Sequence, residues 1–497
     1  MDSKQRDAIL KTVPQKGFFG HPKGLSTLFF TEFWERFSYY GMRAILLYYM
    51  YYEIYQGGLG LELTTANSIM AIYGSLVYMS GIIGGWIADR LLGMNQTVFY
   101  GGVLIMIGHI ILSLPGGFTA LLISMFFIVI GTGLLKPNVG GMVGELYSKK
   151  DPRRDSGFSI YYMGINMGGF LAPFIVGTIG QKYSFHLGFA IAAFGMFAGL
   201  VVYLVTRKKY MGLAGMQVPN PLSATEKGRM GRNFLLGAAL IGIVGWAGFS
   251  AGWLTIERVI FFISILGVII PTIYFIVMYR SKKTTDEERS RLLAYIPLFI
   301  AAMMFWAIQE QGSNILATYA NERTQLSFLG FELQSSWFQS LNPLFVILFA
   351  PVFAWLWIKL GDRQPSTSQK FSLALIFAGL SFIIMIFPAI FHGTETLVNP
   401  LWLVMSFFLV VMGELLLSPV GLSASTKLAP AAFAAQMMSL WNLSNASAQA
   451  INAQVVRFYS VETEVIYFGV IGGFAILLGI VLMLLSPKLK RYMRGIR

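Results

Sequence analysis

Fourteen apolar stretches, each long enough to cross a bilayer as a helix, follow one another along the chain with short polar breaks between them. They lie at about 25–53, 64–91, 96–113, 118–146, 155–180, 185–206, 233–250, 258–279, 291–319, 334–359, 370–391, 400–427, 431–457 and 463–486. In hydrocarbon every backbone N–H and C=O must be satisfied internally, so spans of this length fold as helices. The spacing therefore predicts an all-α polytopic membrane protein. Composition agrees: 56% of the 497 residues are hydrophobic and 12% charged, against roughly 25% charged in an ordinary soluble domain. The net charge of +14 is not a nucleic-acid signal, because the basic residues sit between apolar spans. Of 37 Lys and Arg, four (Lys182, Arg258, Arg323, Arg457) fall on the side opposite the N-terminus and three (Arg36, Arg43, Lys136) inside spans. All others share the N-terminal side. The positive-inside rule then predicts that both termini are cytoplasmic in a cell membrane. The first 24 residues hold five Lys/Arg and no apolar core, so no cleavable signal peptide is expected.

The spans group as six, two and six. Basic linkers from Arg207 to Arg232 and from Arg280 to Arg291 flank spans seven and eight. The expected division is an N-terminal segment 1–24, a six-helix bundle 25–206, a linker with two extra helices 207–290, a second six-helix bundle 291–486 and a basic tail 487–497. A weak internal repeat supports it. Gly85-x-x-x-Asp89-Arg90 follows the second span, and Gly361-Asp362-Arg363 follows the second span of the last six. Matching turns of this kind mark parallel repeats in transporters.

Charges inside spans are expensive and need partners or water. The densest group is Thr31–Arg43, TEFWERFSYYGMR. On a helix Glu32, Arg36, Tyr39 and Arg43 form one stripe at spacings of four, three and four. Arg36 lies about 16 Å into its span at 1.5 Å per residue, near the midplane. With the halves numbered 1–6 and 7–12 and the extra pair kept apart, Arg43 is on helix 1 and Glu310 on helix 7. Lys136 is on helix 4 and Glu414 on helix 10. Each base in the first half has an acid on the equivalent helix of the second, which predicts two salt bridges between halves, Arg43–Glu310 and Lys136–Glu414. Both would break when the halves rock. The alternative is a set of buried pairs that only hold the bundle together. Tyr39, Tyr40, Tyr78, Tyr161 and Tyr162 add hydroxyls to the first half, and Asn166 and Asn342 are polar groups in apolar surroundings. Trp306 and Trp441 are candidates for pocket walls. His109 is expected to be a satisfied packing histidine. With no cysteine and four scattered histidines, no metal site, disulfide or thiolate chemistry is expected.

These residues resemble the signatures of the proton-dependent oligopeptide transporter family, a branch of the major facilitator superfamily. Glu32 to Gly41 is similar to its E-x-x-E-R-F-x-Y-Y-G motif without departure. Phe158 to Phe170 (FSIYYMGINMGGF), Lys136-Pro137-Asn138-Val139 and Gly413-Glu414-Leu415 also resemble family segments. The resemblance extends over essentially the whole chain, and the extra helix pair is similar to bacterial members. It implies the 6+6 major facilitator fold with fourteen transmembrane helices. It implies a proton-coupled symporter importing di- and tripeptides by alternating access, with protons as coupling ion and no cofactor. By the same resemblance Arg36, Tyr40 and Lys136 would bind the peptide carboxylate, and Glu414, Asn166 and Asn342 its ammonium group. Tyr39 and Tyr78 would contact the backbone or order the pocket, and Trp306 and Trp441 would line side-chain pockets. Glu32, Glu35 and Glu310 would couple protons, and Arg43–Glu310 would gate. Two departures bear on this: Gln309 stands where some relatives have a second carboxylate, and the second helix lacks the histidine of animal members.

Such a site suits a zwitterion of fixed ends and variable middle, because a dipolar clamp holds the ends. An ion pair at a few ångströms is worth roughly 4 kcal/mol at an effective dielectric of about 20, before desolvation. Protonating Glu310 would free Arg43, and protonating Glu32 or Glu35 would free Arg36, so proton and peptide would bias one two-state element. Rival expectations are a proton-coupled drug exporter, which Gly169–Gly177 (GFLAPFIVG) resembles in passing, and an importer of a non-peptide anion such as nitrate. A transport-inactive nutrient sensor is a third. A haem or quinone enzyme has little support without clustered histidines. The expected partners are the peptide substrates and the lipid bilayer, with a monomer sufficient for transport and no nucleic acid.

Overall fold

Helices form wherever the chain is apolar for long enough, and they end where glycine, proline or a hydroxyl cap interrupts it. A computed structural model describes residues 3–148 and 151–494. It contains fourteen long helices: α1 (Gly24–Tyr51), α2 (Leu63–Ile87), α3 (Gly93–Leu112), α4 (Gly117–Glu145), α5 (Arg154–Ala172), α6 (Phe185–Tyr210), α7 (Ala224–Ser250), α8 (Ile256–Arg280), α9 (Asp286–Gln309), α10 (Leu341–Leu360), α11 (Thr367–Ile383), α12 (Leu401–Lys427), α13 (Ala434–Val455) and α14 (Glu464–Tyr492). Eleven helical stretches meet a length-and-hydropathy criterion for crossing a membrane. One of them, 63–112, is α2 and α3 in series, joined by a π-helical segment and turned at Gly93, whose φ of +74° suits glycine. The charges of α1 and the Asn/Gln/Ser stripe of α13 keep those two helices outside the criterion. The fourteen-helix expectation and the all-helical fold therefore stand.

Helix starts follow local chemistry. Ser223–Glu226, Thr285–Glu288 and Ser366–Gln369 form capping boxes at α7, α9 and α11. Two spans change pitch part-way. α5 passes through a π segment at Pro173–Gly177 before ending at Lys182, and α9 tightens to a 3-10 turn at Glu310–Ser313 before continuing as Ile315–Glu322. Such changes mark places where the ladder is re-aimed.

α14 continues to Tyr492, with Lys490 and Arg491 in its last turn, where cations stabilise the helix dipole. The N-terminal segment carries a helix, Ser3–Thr12, and buries Ile9 and Val13. A two-residue hairpin pairs Ser327–Phe328 with Phe331–Glu332.

Packing follows small residues. A Cβ added to Gly131 of α4 would lie 2.6 Å from the Gly101 carbonyl of α3, and one on Gly472 of α14 would lie 2.7 Å from the Gly379 carbonyl of α11. These contacts let the backbones touch, which is how helices associate without a hydrophobic driving force. One large apolar cluster gathers residues of α9–α14, and two others gather mainly α1–α6. The extra helices differ from each other. α8 bridges: Ser447 Oγ of α13 donates to the Gly267 carbonyl at 2.6 Å and Gln454 to Ser264 at 3.0 Å. α7 buries no residue at all.

At the end of the bundle away from the two termini, the halves are tied together. Tyr48 donates to the Ala317 carbonyl at 3.1 Å, Tyr52 to Asn321 at 2.8 Å and Gln181 to Ser335 at 2.7 Å.

Candidate functional site

The second signature reads as a glycine face. Gly164, Gly168 and Gly169 let α5 approach α1, and a Cβ on Gly164 would meet the Phe29 ring at 2.9 Å. A Cβ on Gly169 would meet the Tyr40 ring at 3.1 Å. That close approach aligns the α5 polar residues with the charged stripe of α1. Between the halves lies a cavity of about 370 Å³.

Its first-half wall carries Glu32, Arg36, Tyr40, Arg43, Tyr78, Lys136, Tyr162 and Asn166. Its second-half wall carries Trp306, Gln309, Glu310, Asn342, Glu414, Trp441 and Asn445. Twelve of the fourteen residues singled out for binding, coupling or gating thus share one cavity. Glu35 and Tyr39 are not in its lining. Both are buried behind it: Glu35 is fully enclosed, and Tyr39 has its ring centroid 5.3 Å from the Arg36 guanidinium. Tyr39 therefore packs behind the wall against Arg36.

The cationic pole is tightly held. Arg36 Nε donates to Glu35 at 2.5 Å and lies 3.1 Å from Glu32 Oε1, one turn back. Among the described residues its Nη2 has no hydrogen-bond partner, and neither do Glu32 Oε2 and Glu35 Oε1. A guanidinium has five donors, so this arginine has capacity for a further acceptor. Lys136 rests with Nζ 4.2 Å from the centre of the Tyr78 ring.

The anionic pole faces it. Glu414 Oε2 accepts from Asn342 at 3.0 Å and from Gln309 at 3.2 Å, and no donor among the described residues reaches Oε1. The expected Lys136–Glu414 salt bridge is absent among the described residues. Lys136 has an aromatic face as neighbour, and Glu414 has two neutral amides. Equivalent helices in the two halves put these charges on facing walls, and the space of the cavity keeps them apart. The Arg43–Glu310 pair does form, Nη2 to Oε2 at 2.6 Å, with both side chains at least 90% buried.

Glu310 has more neighbours than charge pairing alone foretells. Asn445 Nδ2 donates to its Oε1 at 2.9 Å, and Tyr78 donates to the same oxygen at 3.4 Å. Gln449, one turn along α13, donates to Asn445 Oδ1 at 3.2 Å and thereby fixes which way the amide points. Asn445 and Gln449 went unremarked in the sequence. The signal that marks them is the polar repeat Asn445, Gln449, Asn452 along one face of an otherwise apolar span. Gln309 appeared there only as a missing carboxylate and turns out to be a ligand of Glu414.

Among the remaining expectations, Trp306 and Trp441 meet edge to face at 6.4 Å and close one side of the cavity. Asn166 donates to the Tyr162 carbonyl on its own helix at 3.0 Å. His109 corrects its expectation: it is fully buried in α3, and neither ring nitrogen has a partner among the described residues. No group of three or more His, Asp or Glu suited to a metal ion occurs among the described residues.

The chain as a whole is similar to known proteins. The family model described as "PTR2: POT family" matches residues 95–473. The chain is 64% identical over 496 residues to the uncharacterized transporter YclF of Bacillus subtilis (strain 168), covering 100% of both. It is 48% identical over 494 residues to a di-/tripeptide transporter of Lactococcus lactis subsp. cremoris, covering 97% of this chain and 99% of that one. A crystal structure of a peptide transporter POT in complex with sulfate matches with a TM-score of 0.97 at 63% identity, covering all of both chains. On the family match, these identities and the shared fold, the chain belongs to the POT family of transporters.

Proposed function

We propose that this chain imports di- and tripeptides by proton-coupled symport. The observation that carries the reading is the separation of charge across the 370 Å³ cavity, with Arg36 and Lys136 on one wall and Glu414 on the other, and no ion pair among the described residues between the walls at that level. A short peptide is a zwitterion, and its two ends complete both poles at once. Its carboxylate meets Arg36, Tyr40 and Lys136. Its ammonium group meets Glu414, with Asn342 and Asn166 beside it. Trp306 and Trp441 flank the space left for side chains. Binding that touches both walls favours closure of the halves around the ligand.

Coupling follows from the pairs. A proton on Glu310 releases Arg43, which loosens the tie between halves, and a proton on Glu35 or Glu32 releases Arg36 for the peptide carboxylate. In this reading protons are the coupling ion and no cofactor takes part. Both termini face the cytoplasm of a cell membrane and one chain suffices for transport, since it holds a complete cavity. The name of the Lactococcus relative supports the substrate class. The transporter family is the coarse ground for reading the chain as no enzyme.

The test is uptake of a labelled dipeptide into proteoliposomes, with and without an inside-alkaline gradient. Accumulation driven by the gradient, competed by tripeptides and not by free amino acids or nitrate, is expected. Competition by nitrate, or outward movement of a cationic drug instead, overturns the reading in favour of an anion importer or an exporter.

A further inference from the structure

A second cavity, of about 720 Å³, opens between the terminus-bearing ends of α10, α11, α12 and α14, away from the central site. Three lysines line it: Lys370 in the first turn of α11, Lys427 at the end of α12 and Lys490 near the end of α14. No carboxylate appears among its described lining residues. The central cavity carries both signs of charge; the described lining of this one carries a single sign.

Lys370 makes the imbalance concrete. It is 8% exposed, yet its surroundings are neutral: Nζ donates to Gln364 Oε1 at 2.7 Å and sits 4.0 Å from the centre of the Trp357 ring. Among the described residues, the charge acting on it is that of Lys427, of the same sign. Among the described residues neither Lys370 nor Lys490 pairs with a carboxylate. Among the described residues this buried ammonium thus has neutral groups and a second cation around it and no counter-charge. Hydroxyls at Ser366, Thr367 and Ser423 add neutral donors to the same wall. The N-terminus of the 17-residue α11 adds its dipole in the favourable sense.

We propose that this cavity binds a phosphate-bearing anion, its source being either the headgroup of an anionic membrane lipid or free phosphate. The three lysines supply the charge, the hydroxyls the directional donors, and Trp357 the apolar flank. The lysines stand at helix ends, where headgroups lie. The assignment is independent of the central cavity and of what it carries.

The test uses the purified full chain in a non-ionic detergent. Native mass spectrometry follows retention of phosphatidylglycerol against phosphatidylcholine. A thermal-shift series follows inorganic phosphate. Two variants are compared: Lys370→Gln/Lys490→Gln, and Lys427→Gln/Lys490→Gln, which changes only exposed lysines and keeps the test usable where the buried one is needed for folding. Retention of phosphatidylglycerol about tenfold or more above phosphatidylcholine, lost in a folded variant, is expected for the lipid source. A lysine-dependent stabilisation by phosphate without lipid selectivity supports the free anion. Equal retention of both lipids, or unchanged retention in both variants, together with no lysine-dependent phosphate shift, overturns the proposal.

Discussion

Individual residues decide what the central cavity recognises. Glu414 is held by two amides through one oxygen, which keeps it placed while the other oxygen stays available. Glu414→Gln keeps the shape and removes the charge. Losing a charged hydrogen-bond partner costs about 1.5–3 kcal/mol, so dipeptide affinity measured by competition uptake should fall about tenfold to a hundredfold. A ligand lacking the ammonium group should be affected far less. Arg43 and Glu310 pose a different case. Removing one partner of a buried pair strands the other at a cost of about 3–5 kcal/mol. Arg43→Ala and Glu310→Ala should therefore each lower the apparent melting temperature, and Arg43→Glu with Glu310→Arg should recover part of it. No recovery in the exchange means the two do not act as a pair. Outside the spans, His21 of the N-terminal segment is bonded to Tyr147 at 2.9 Å and buried. Burial, and then the Arg153 charge, hold its pKa below the ordinary 6.5. The unfolded chain therefore takes up this proton at higher pH than the folded one, and stability is lost as pH falls below about 6.5. A melting series from pH 7.5 to 5 should show that slope, and His21→Gln should flatten it.

Elements show why a hydropathy pattern locates helices and says less about what they touch. α7 and α3 are both glycine-bearing apolar spans. In α3 a Cβ on Gly101 would lie 2.7 Å from the Gly131 carbonyl, whereas Gly242 of α7 has nothing within 4 Å of such an atom. Gly131→Val should destabilise by about 1–3 kcal/mol through overpacking, visible as a lower apparent melting temperature. Gly242→Val should leave it within about 0.5 kcal/mol of the parent. The sequence holds both glycines and no sign of which one meets a neighbour. α13 shows the converse. Its polar stripe weakens it as an apolar span, but the stripe is the part that reaches Glu310.

At the scale of the whole molecule, the halves join at the end remote from the termini through Tyr48, Tyr52 and Gln181 as well as Arg43–Glu310. Alternating access requires those ties to open. The chain has no cysteine, so a pair introduced by Tyr52→Cys and Asn321→Cys can be joined selectively by a reducible bifunctional thiol reagent, which spans the reach of the parent tyrosine. Their side chains are hydrogen-bonded at 2.8 Å in the parent. Cross-linking should abolish dipeptide uptake and reduction restore it, while Gly242→Cys alone should do neither. Uptake that survives complete cross-linking would show that this end does not separate.

What the amino-acid order determines by itself is one-dimensional. Hydrocarbon forces each long apolar run into a helix, and the cost of an intramembrane charge marks Arg36, Arg43, Lys136, Glu310 and Glu414 as residues with work to do. Both properties belong to a residue and its neighbours in the chain. Pairing does not. Charge and repeat symmetry foretold Arg43–Glu310 and Lys136–Glu414 with equal force, yet only the first pair meets. Where α9 tightens at Glu310 and how far the cavity holds α4 from α12 are set by packing between segments hundreds of residues apart. The same packing gave Glu414 to Gln309 and Asn342, gave Glu310 to Asn445, and left Lys136 over Tyr78. An ion pair needs a few ångströms of registry, and that registry exists only once the two halves have closed on one another.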